Sequence, residues 1–272
     1  MSYNSDGQVN RAEILSRFDE QARANISAEP GIRVERNGAT VRISGLWDCV
    51  IHSALTETTA DAAIATEKGR FLPRDRKLEW KLYGHDRPSD LDVRLRAAGF
   101  EPETRETLVV RDLTAELPGT PQPADVAIRC VTDRAGLAEV AAVGVRAFGQ
   151  DYSSMNDEFL ARVEHGTVVF YVAYSDGAPV GAARLELPPS GEFAGLYGGG
   201  IVPEHRGRGI YRALVGVRAR AARERGYRHL TVDAADSSLP ILLRLGFVPL
   251  TTVTAWTWQP ELDAAAGPWR DE

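Results

Sequence analysis

The sequence predicts an α/β protein of two tandem halves built to one plan, and three observations carry that expectation. Strand-like runs alternate with segments of helical period along most of the chain. Both halves close on the same succession. KLEWKLY (77–83), PSDLDVRLRAAGF (88–100) and ETLVVRDL (106–113) are answered by RHLTVDA (228–234), SSLPILLRLGF (237–247) and LTTVTAWTW (250–258). Each reads as strand, short helix closed by Gly-Phe, then strand, as two copies of one architecture would. Between them LTAELPGTPQPAD (113–125) breaks all periodicity with Pro118, Gly119, Pro121 and Pro123. The expected division is therefore a first half over 1–113, a linker over 114–125 and a second half over 126–272.

In the first half, VERNGATVRISG (34–45) carries Asn37-Gly38, a strong hairpin signal. TADAAIATEKGRF (59–71) stands where a helix is expected, and the ALTETT before it holds neither glycine nor arginine. The second half opens with a strand, VAIRCVT (126–132), and a helix, RAGLAEVAAVGVRAFG (134–149), ended by Gly149. MNDEFLARVEHG (155–166) follows as a helix with Asn156 or Asp157 near its start. TVVFYVAY and APVGAARLEL flank Ser-Asp-Gly as a hairpin. A Gly-rich strand, FAGLYGGGIV (193–202), then leads through a loop into a helix from about Ile210 to Arg225. Ile210, Leu214, Val217 and Ala221 give that helix one apolar stripe. Arginines 212, 218, 220, 223 and 225 read as its solvated face, interleaved with Glu224.

A hydrophobic content of 43% and a charged content of 26% describe a chain able to bury a core in water. The net charge of −6 argues against a dedicated nucleic-acid binder, which usually carries a basic domain. The two cysteines, Cys49 and Cys130, form no metal-spacing motif and suit a reducing compartment. MSYNSDGQVNRAEIL holds no apolar signal core, and no run of about 18 apolar residues occurs anywhere. The expectation is a cytoplasmic protein with no membrane, nucleic-acid or metal partner.

The loop HRGRGIYRAL (205–214) places glycines and arginines where a strand turns into a helix. Gly207 and Gly209 allow a sharp turn and close approach of a ligand. The amides of roughly 206–211 then point, unpaired, out of the positive end of a helix dipole worth about half a charge. That makes a phosphate or pyrophosphate site, to which Arg206 and Arg208 add charge and fork geometry. Neither GxxxxGK(S/T) nor a strand-borne GxGxxG with its later acidic residue is present. The first half lacks such a loop, so one competent site is expected, in the second half.

IVPEHRGRGIYRALV resembles the signature of the GNAT superfamily of acyl-CoA-dependent N-acyltransferases, a strand residue and proline followed by Arg/Gln-x-x-Gly-x-Gly/Ala. Arg206, Gly207, Arg208 and Gly209 occupy its first four places, and SSLPILLRLGF resembles the family's other landmark. The resemblance covers 126–259 and, more weakly, the first half as a degenerate copy; it implies a mixed, mostly antiparallel sheet flanked by helices. It implies acetyl-CoA or another short acyl-CoA as co-substrate, with its pyrophosphate on the amides of Arg206, Gly207, Arg208, Gly209, Ile210 and Tyr211. The pantetheine arm would lie along the strand end at Gly199 and Ile201. Two places depart from the pattern. Tyr211 stands where Gly or Ala is usual, and must turn its side chain away from the anion or line the cleft. Leu242 stands where many members carry the tyrosine that protonates the leaving thiolate.

The implied reaction is direct attack of a small-molecule amine on the thioester; a protein lysine or N-terminus is the alternative acceptor, and a non-catalytic acyl-CoA-binding module the alternative role. An alkyl amine with a pKa of ~10 must lose a proton before attack. A positioned base contributes roughly 10²–10⁴-fold. Glu186, Glu192 and Asp233 are the candidate bases, and glycines 198–200 offer backbone N–H groups to an oxyanion. Ser237 and Ser238 are the hydroxyls nearest the missing tyrosine, or helix N-caps. Tyr152 falls where the family's substrate loops lie, and His205 and His229 read as solvated residues. Trp80, Tyr83, His85 and Asp86 form a polar-aromatic cluster, placed at the interface between the halves or over the acceptor site. Monomer and homodimer are both open.

Overall fold

In the computed structural model, which describes residues 10–71, 77–116 and 119–260, the strands join into one 12-stranded sheet. Most of the N-terminal stretch read for a signal core, Leu117 and Pro118 of the linker, and the segment after residue 260 lie outside the described residues.

The first stretch runs α1 (Arg11–Phe18), a π-helical turn (Asp19–Ala24), β1 (Ile32–Asn37), β2 (Thr40–Gly45), β3 (Asp48–Ser53), α2 (Ala60–Phe71), β4 (Leu78–Tyr83), α3 (Leu91–Ala97), β5 (Glu101–Pro102) and β6 (Glu106–Asp112). The second runs β7 (Val126–Val131), α4 (Arg134–Phe148), α5 (Asn156–Glu164), β8 (Val168–Ser175), β9 (Ala178–Glu186), β10 (Phe193–Ile201), α6 (Ile210–Glu224), β11 (His229–Ala234), α7 (Leu239–Arg244) and β12 (Val248–Trp258). Local chemistry accounts for the boundaries. Asp133 caps α4 by accepting from the Gly136 amide at 2.8 Å, and Gly149 ends it at φ 73°. Gly99 and Gly246 stop α3 and α7 in the same left-handed conformation and drop Phe100 and Phe247 into the core.

Strand order is β1-β2-β3-β4-β12-β6-β11-β10-β9-β8-β7, with β5 beside β12. Two neighbouring pairs are parallel, β3 with β4 and β10 with β11, each joined by a crossover helix, α2 or α6. Each parallel ladder is short, Asp48–Val50 on Leu78–Trp80 and Phe193–Gly195 on His229–Thr231. The succession β1-β2-β3-α2-β4-α3-β6 thus recurs as β8-β9-β10-α6-β11-α7-β12. The last strands are exchanged: β6 lies between β11 and β12, and β12 between β6 and β4. β12 pairs with β6 as far as Val253 and with β4 from there to Trp258, kinking between Pro249 and Thr251, where proline has no N–H to give the ladder.

Alternation along the strands sorts the helices onto two faces. Leu78 and Trp80 of β4 face α2 and α3, whereas Tyr83 faces α1 with Phe18, Leu108 and Phe193. Val168, Phe170 and Val172 of β8 face α4 and α5; Val169 and Tyr171 share the core of α6. The expected cluster at the end of β4 is therefore divided. Trp80 stacks edge-on with Phe100 in one core. On the other face Arg23 lies over the Tyr83 ring at 4.0 Å and pairs with Asp19 and Asp86 at 2.6 and 2.7 Å. The linker from Gly119 runs along α6, with Thr120 so close to Gly216 that an added Cβ would sit 1.7 Å from its Oγ1.

Candidate active site

β10 and β11 part after three residue pairs. β10 stays on β9 out to Ile201 and β11 stays on β6 out to Ala234, while the ladder between them stops at Gly195 and Thr231. The strands splay into a cleft beyond that point. A bulge between Tyr197 and Gly200, with Gly198 at φ 57°, bends β10 there. Glycine is required because both sides are occupied. A Cβ on Gly200 would come within 2.6 Å of the Phe148 ring, and one on Gly199 within 3.1 Å of the Tyr211 ring. Gly199 lies inside the bulge; pairing resumes at Gly200 opposite Ala182 and continues with Ile201 opposite Gly181.

The loop after β10 turns through Pro203–His205, and Gly207 and Gly209 follow at φ 76° and 84°. Gly209 is the N-cap of α6 and no side chain caps that helix, so its first-turn amides have no intrahelical acceptor. Around Gly207 there is nothing within 4 Å of an added Cβ. Arg206 spends its guanidinium on the carbonyls of Ile201 and Ala147, each at 3.1 Å, and so ties the loop to β10 and α4. Arg208 pairs with Asp125 of the linker and meets His205 Nδ1 at 2.8 Å. Tyr211 turns its side chain onto Gly199. Burial pushes its phenol up, while Arg218 and a hydrogen-bonding contact from Ser238 pull the other way.

Arg218 corrects the reading of the α6 arginines as a solvated face. It is 1% exposed and passes behind the bulge, donating to the carbonyls of Leu214 and Arg184 at 3.0 Å and of Tyr197 at 3.5 Å. Burial brings its guanidinium down to about 10, still charged at neutral pH. Its bonds join α6 to β9 at Arg184 and to the start of the bulge at Tyr197. Replacing Arg218 with methionine is expected to cost about 2 to 4 kcal/mol, because buried carbonyls lose their partner. An unchanged denaturation midpoint would remove this role.

On the face of α1, α4 and α5 lies a cavity of about 530 Å³ between the two halves. Tyr197, 38% exposed, opens into it, as do Tyr152 and Phe148. The candidate bases are not brought together. Glu186 lines the cavity but is clamped: Arg162 pairs with it, and Arg184 Nε lies 2.6 Å from Oε1. Glu192 lies beside the opposite end of β10, bound to Arg17 at 3.1 Å. His229, expected in solvent, is 1% exposed and stacks on Phe193 at 4.9 Å beside Glu192. Ser238 precedes α7 and donates to the Ala235 carbonyl at 3.1 Å. Asp233 lies near the end of β11 by the cleft, with Lys81 Nζ 2.5 Å from Oδ2.

Lys81 comes from β4 of the first half, and sequence reasoning missed it. Burial works against its ammonium, yet Asp233, Tyr83 and Tyr197 hold it well above the ordinary lysine value. Glu106 of β6 was missed too. It is half-buried on the Asp233 face of the sheet, and burial, then the Asp233 charge, push its carboxyl up to about 7 against the pull of Lys81. The available signal was the alternation of KLEWKLY, which puts Lys77, Glu79 and Lys81 on one face of its strand, and of ETLVVRDL, which puts Glu106 and Asp112 on one face of its own.

The sequence model of the Acetyltransferase (GNAT) family matches residues 142–247. Those residues are a GNAT domain. No protein of curated function matches the chain at the sequence level. A GCN5-related N-acetyltransferase from Kribbella flavida superposes with a TM-score of 0.66 at 20% identity, covering 92% of this chain and 94% of that one. A conserved protein of unknown function from Staphylococcus epidermidis gives 0.60 at 16%, covering 85% and 95%. A tandem GNAT protein from the clavulanic acid biosynthesis pathway gives 0.58 at 16%, covering 95% and 90%. The fold beyond the GNAT domain is thus shared with chains of similar length. Within the GNAT domain Leu242 is fully buried, and the Tyr211 ring packs against Gly199 beside the cleft. Among the described residues no group of His, Cys, Asp or Glu could hold a metal, and no helix is long and apolar enough to cross a membrane.

Proposed function

We propose that the protein transfers an acetyl group from acetyl-CoA to the amine of a small molecule, using a single site in the 126–272 half. The observation that carries this reading is the splayed β10–β11 cleft leading to an uncapped α6 N-terminus. A pyrophosphate would sit there on first-turn amides that have no intrahelical acceptor, where Gly207 and Gly209 present no Cβ; the Arg206 amide, expected among them, is instead bonded to the Pro203 carbonyl at 3.2 Å. The pantetheine arm would follow the open edge of β10 past Gly199 and Ile201. When bound, acetyl-CoA supplies an acyl group activated as a thioester.

The chain's own groups supply the rest. Glu106 has the proton affinity suited to deprotonating an amine near neutral pH, and the Lys81–Asp233 pair beside it fixes the local field. The Tyr211 hydroxyl, on a ring that packs against Gly199, is the proton source on the cleft side, in the role that Leu242 cannot fill. The cavity lies between the halves, which suits a small acceptor better than a lysine of a folded protein.

The test is titration calorimetry with acetyl-CoA. One site per chain is expected; no binding, or two equivalent sites, would overturn the reading. Tyr211→Phe is expected to leave that affinity within about twofold and to lower turnover roughly 100-fold, at the small end of acid–base effects. Equal turnover would return the proton to water.

A further inference from the structure

We infer that the cavity between the halves takes a primary amine carried on an apolar, aromatic-sized body, its ammonium held by Glu79 of the N-terminal half. The inference deepens the acetyl-transfer reading and rests on it.

The walls set the body of the ligand. Ile26, Ile43 and Trp47 line the cavity from one half, and Phe148 and Phe159 from the other. About 530 Å³ lies within the range of pockets that enclose a whole small molecule. Walls of this kind offer little to hydroxyl-rich amines such as sugars, whose polar groups would lose water without replacement.

The charges set the head. Six charged side chains line the cavity: Glu29, Glu79, Lys81, Arg162, Arg184 and Glu186. Arg162 pairs with both Glu29 and Glu186, and Arg184 with Glu186, which balances those four. Lys81 is taken by Asp233. Glu79 is left over. Among the described residues it forms no ion pair, and its hydrogen bond comes from the Cys49 thiol at 3.6 Å, a weak donor. Burial raises its carboxyl against the pull of the nearby Lys81 charge, which is itself spent on Asp233. An ammonium supplies what is missing. Glu79 and Lys81 are alternate residues of β4 and share a face, about 7 Å apart along the strand. A nitrogen on Glu79 therefore lies on the face of the sheet that carries Lys81 and Asp233, close enough to feel the Asp233 charge.

The experiment titrates the full chain, without acetyl-CoA, with 2-phenylethylamine and with 2-phenylethanol, which keeps the body and removes the charge. The amine is expected to bind at least tenfold more tightly, and Glu79→Gln to erase that preference while acetyl-CoA affinity and melting temperature stay unchanged. Equal binding of amine and alcohol, tighter binding of glucosamine than of 2-phenylethylamine, or a preference that survives Glu79→Gln would each overturn the inference. Should Glu79→Gln fail to fold, the wild-type comparison of amine, alcohol and glucosamine still decides. Acetyl-CoA binding with no amine binding sinks this inference alone. Amine binding with no acetyl-CoA binding sinks the acetyl-transfer reading, and with it the amine's role as acceptor.

Discussion

Replacing Gly209 with aspartate is expected to weaken acetyl-CoA binding by roughly 100-fold or more while the protein stays folded. Gly209 caps α6 at φ 84°, where an L residue costs about 1 to 2 kcal/mol. That is bearable, because aspartate is a favoured N-cap and is among the residues that tolerate the left-handed region. The nearest group to its Cβ is Arg212 Nη2 at 3.4 Å, a cation able to hold the new carboxylate in place. The substituted chain would carry its own anion on the amides that a pyrophosphate needs. Like charges brought together at a desolvated contact cost several kcal/mol, and 100-fold needs about 2.7. Calorimetry decides: unchanged affinity would remove the loop as the pyrophosphate site. Circular dichroism distinguishes lost binding from lost fold.

Glu106→Gln is expected to lower kcat by roughly 100-fold or more, with acetyl-CoA affinity preserved. The pH profile carries the sharper result. With the carboxyl raised from 4.5 to about 7, the wild-type rate should climb as the pH passes through 7, where the base form appears. Glutamine has no such ionisation, so the acidic limb should flatten. A limb that persists would move the base to Asp233. Stability changes in the opposite sense. The folded chain holds this proton more tightly than the unfolded one, so the contribution is present below about pH 4.5 and is lost as the pH rises through 7. A wild type more sensitive than Glu106→Gln to that rise is the accompanying expectation.

What could be read from the sequence was what local chemistry decides. The α6 loop announced itself because Gly207 and Gly209 are needed for their backbone angles, and the helix ends because Gly149 and Gly246 are left-handed. The face of Glu186 was legible too, since alternation along β9 follows from strand geometry. Its arginine clamp was not: Arg162 comes from another element, and which cation meets which carboxylate is settled by packing. The same holds for Lys81 and Asp233, 152 residues apart in sequence. Arg218 and His229 were misplaced for a related reason. Charged residues are rarely buried without partners, and those partners are backbone carbonyls behind a bulge for one, and an aromatic face for the other. Which strand neighbours which was equally hidden, because strand composition does not name the partner.

The exchange of β6 and β12 makes the chain's assembly order unusual. During synthesis β4 emerges beside β3 but without its other final neighbour, since Tyr83 pairs with Val253, about 170 residues later. The nascent first half must wait with an open sheet edge, a state prone to mispairing and helped by chaperones. Contacts so distant in sequence also raise the mean separation that slows folding. Cutting the chain in the linker would therefore yield two fragments each lacking a central strand, soluble only when mixed. Two genes encoding 1–113 and 126–272 should regain the fold on co-expression and fail singly, interlocked like two hands rather than joined like beads.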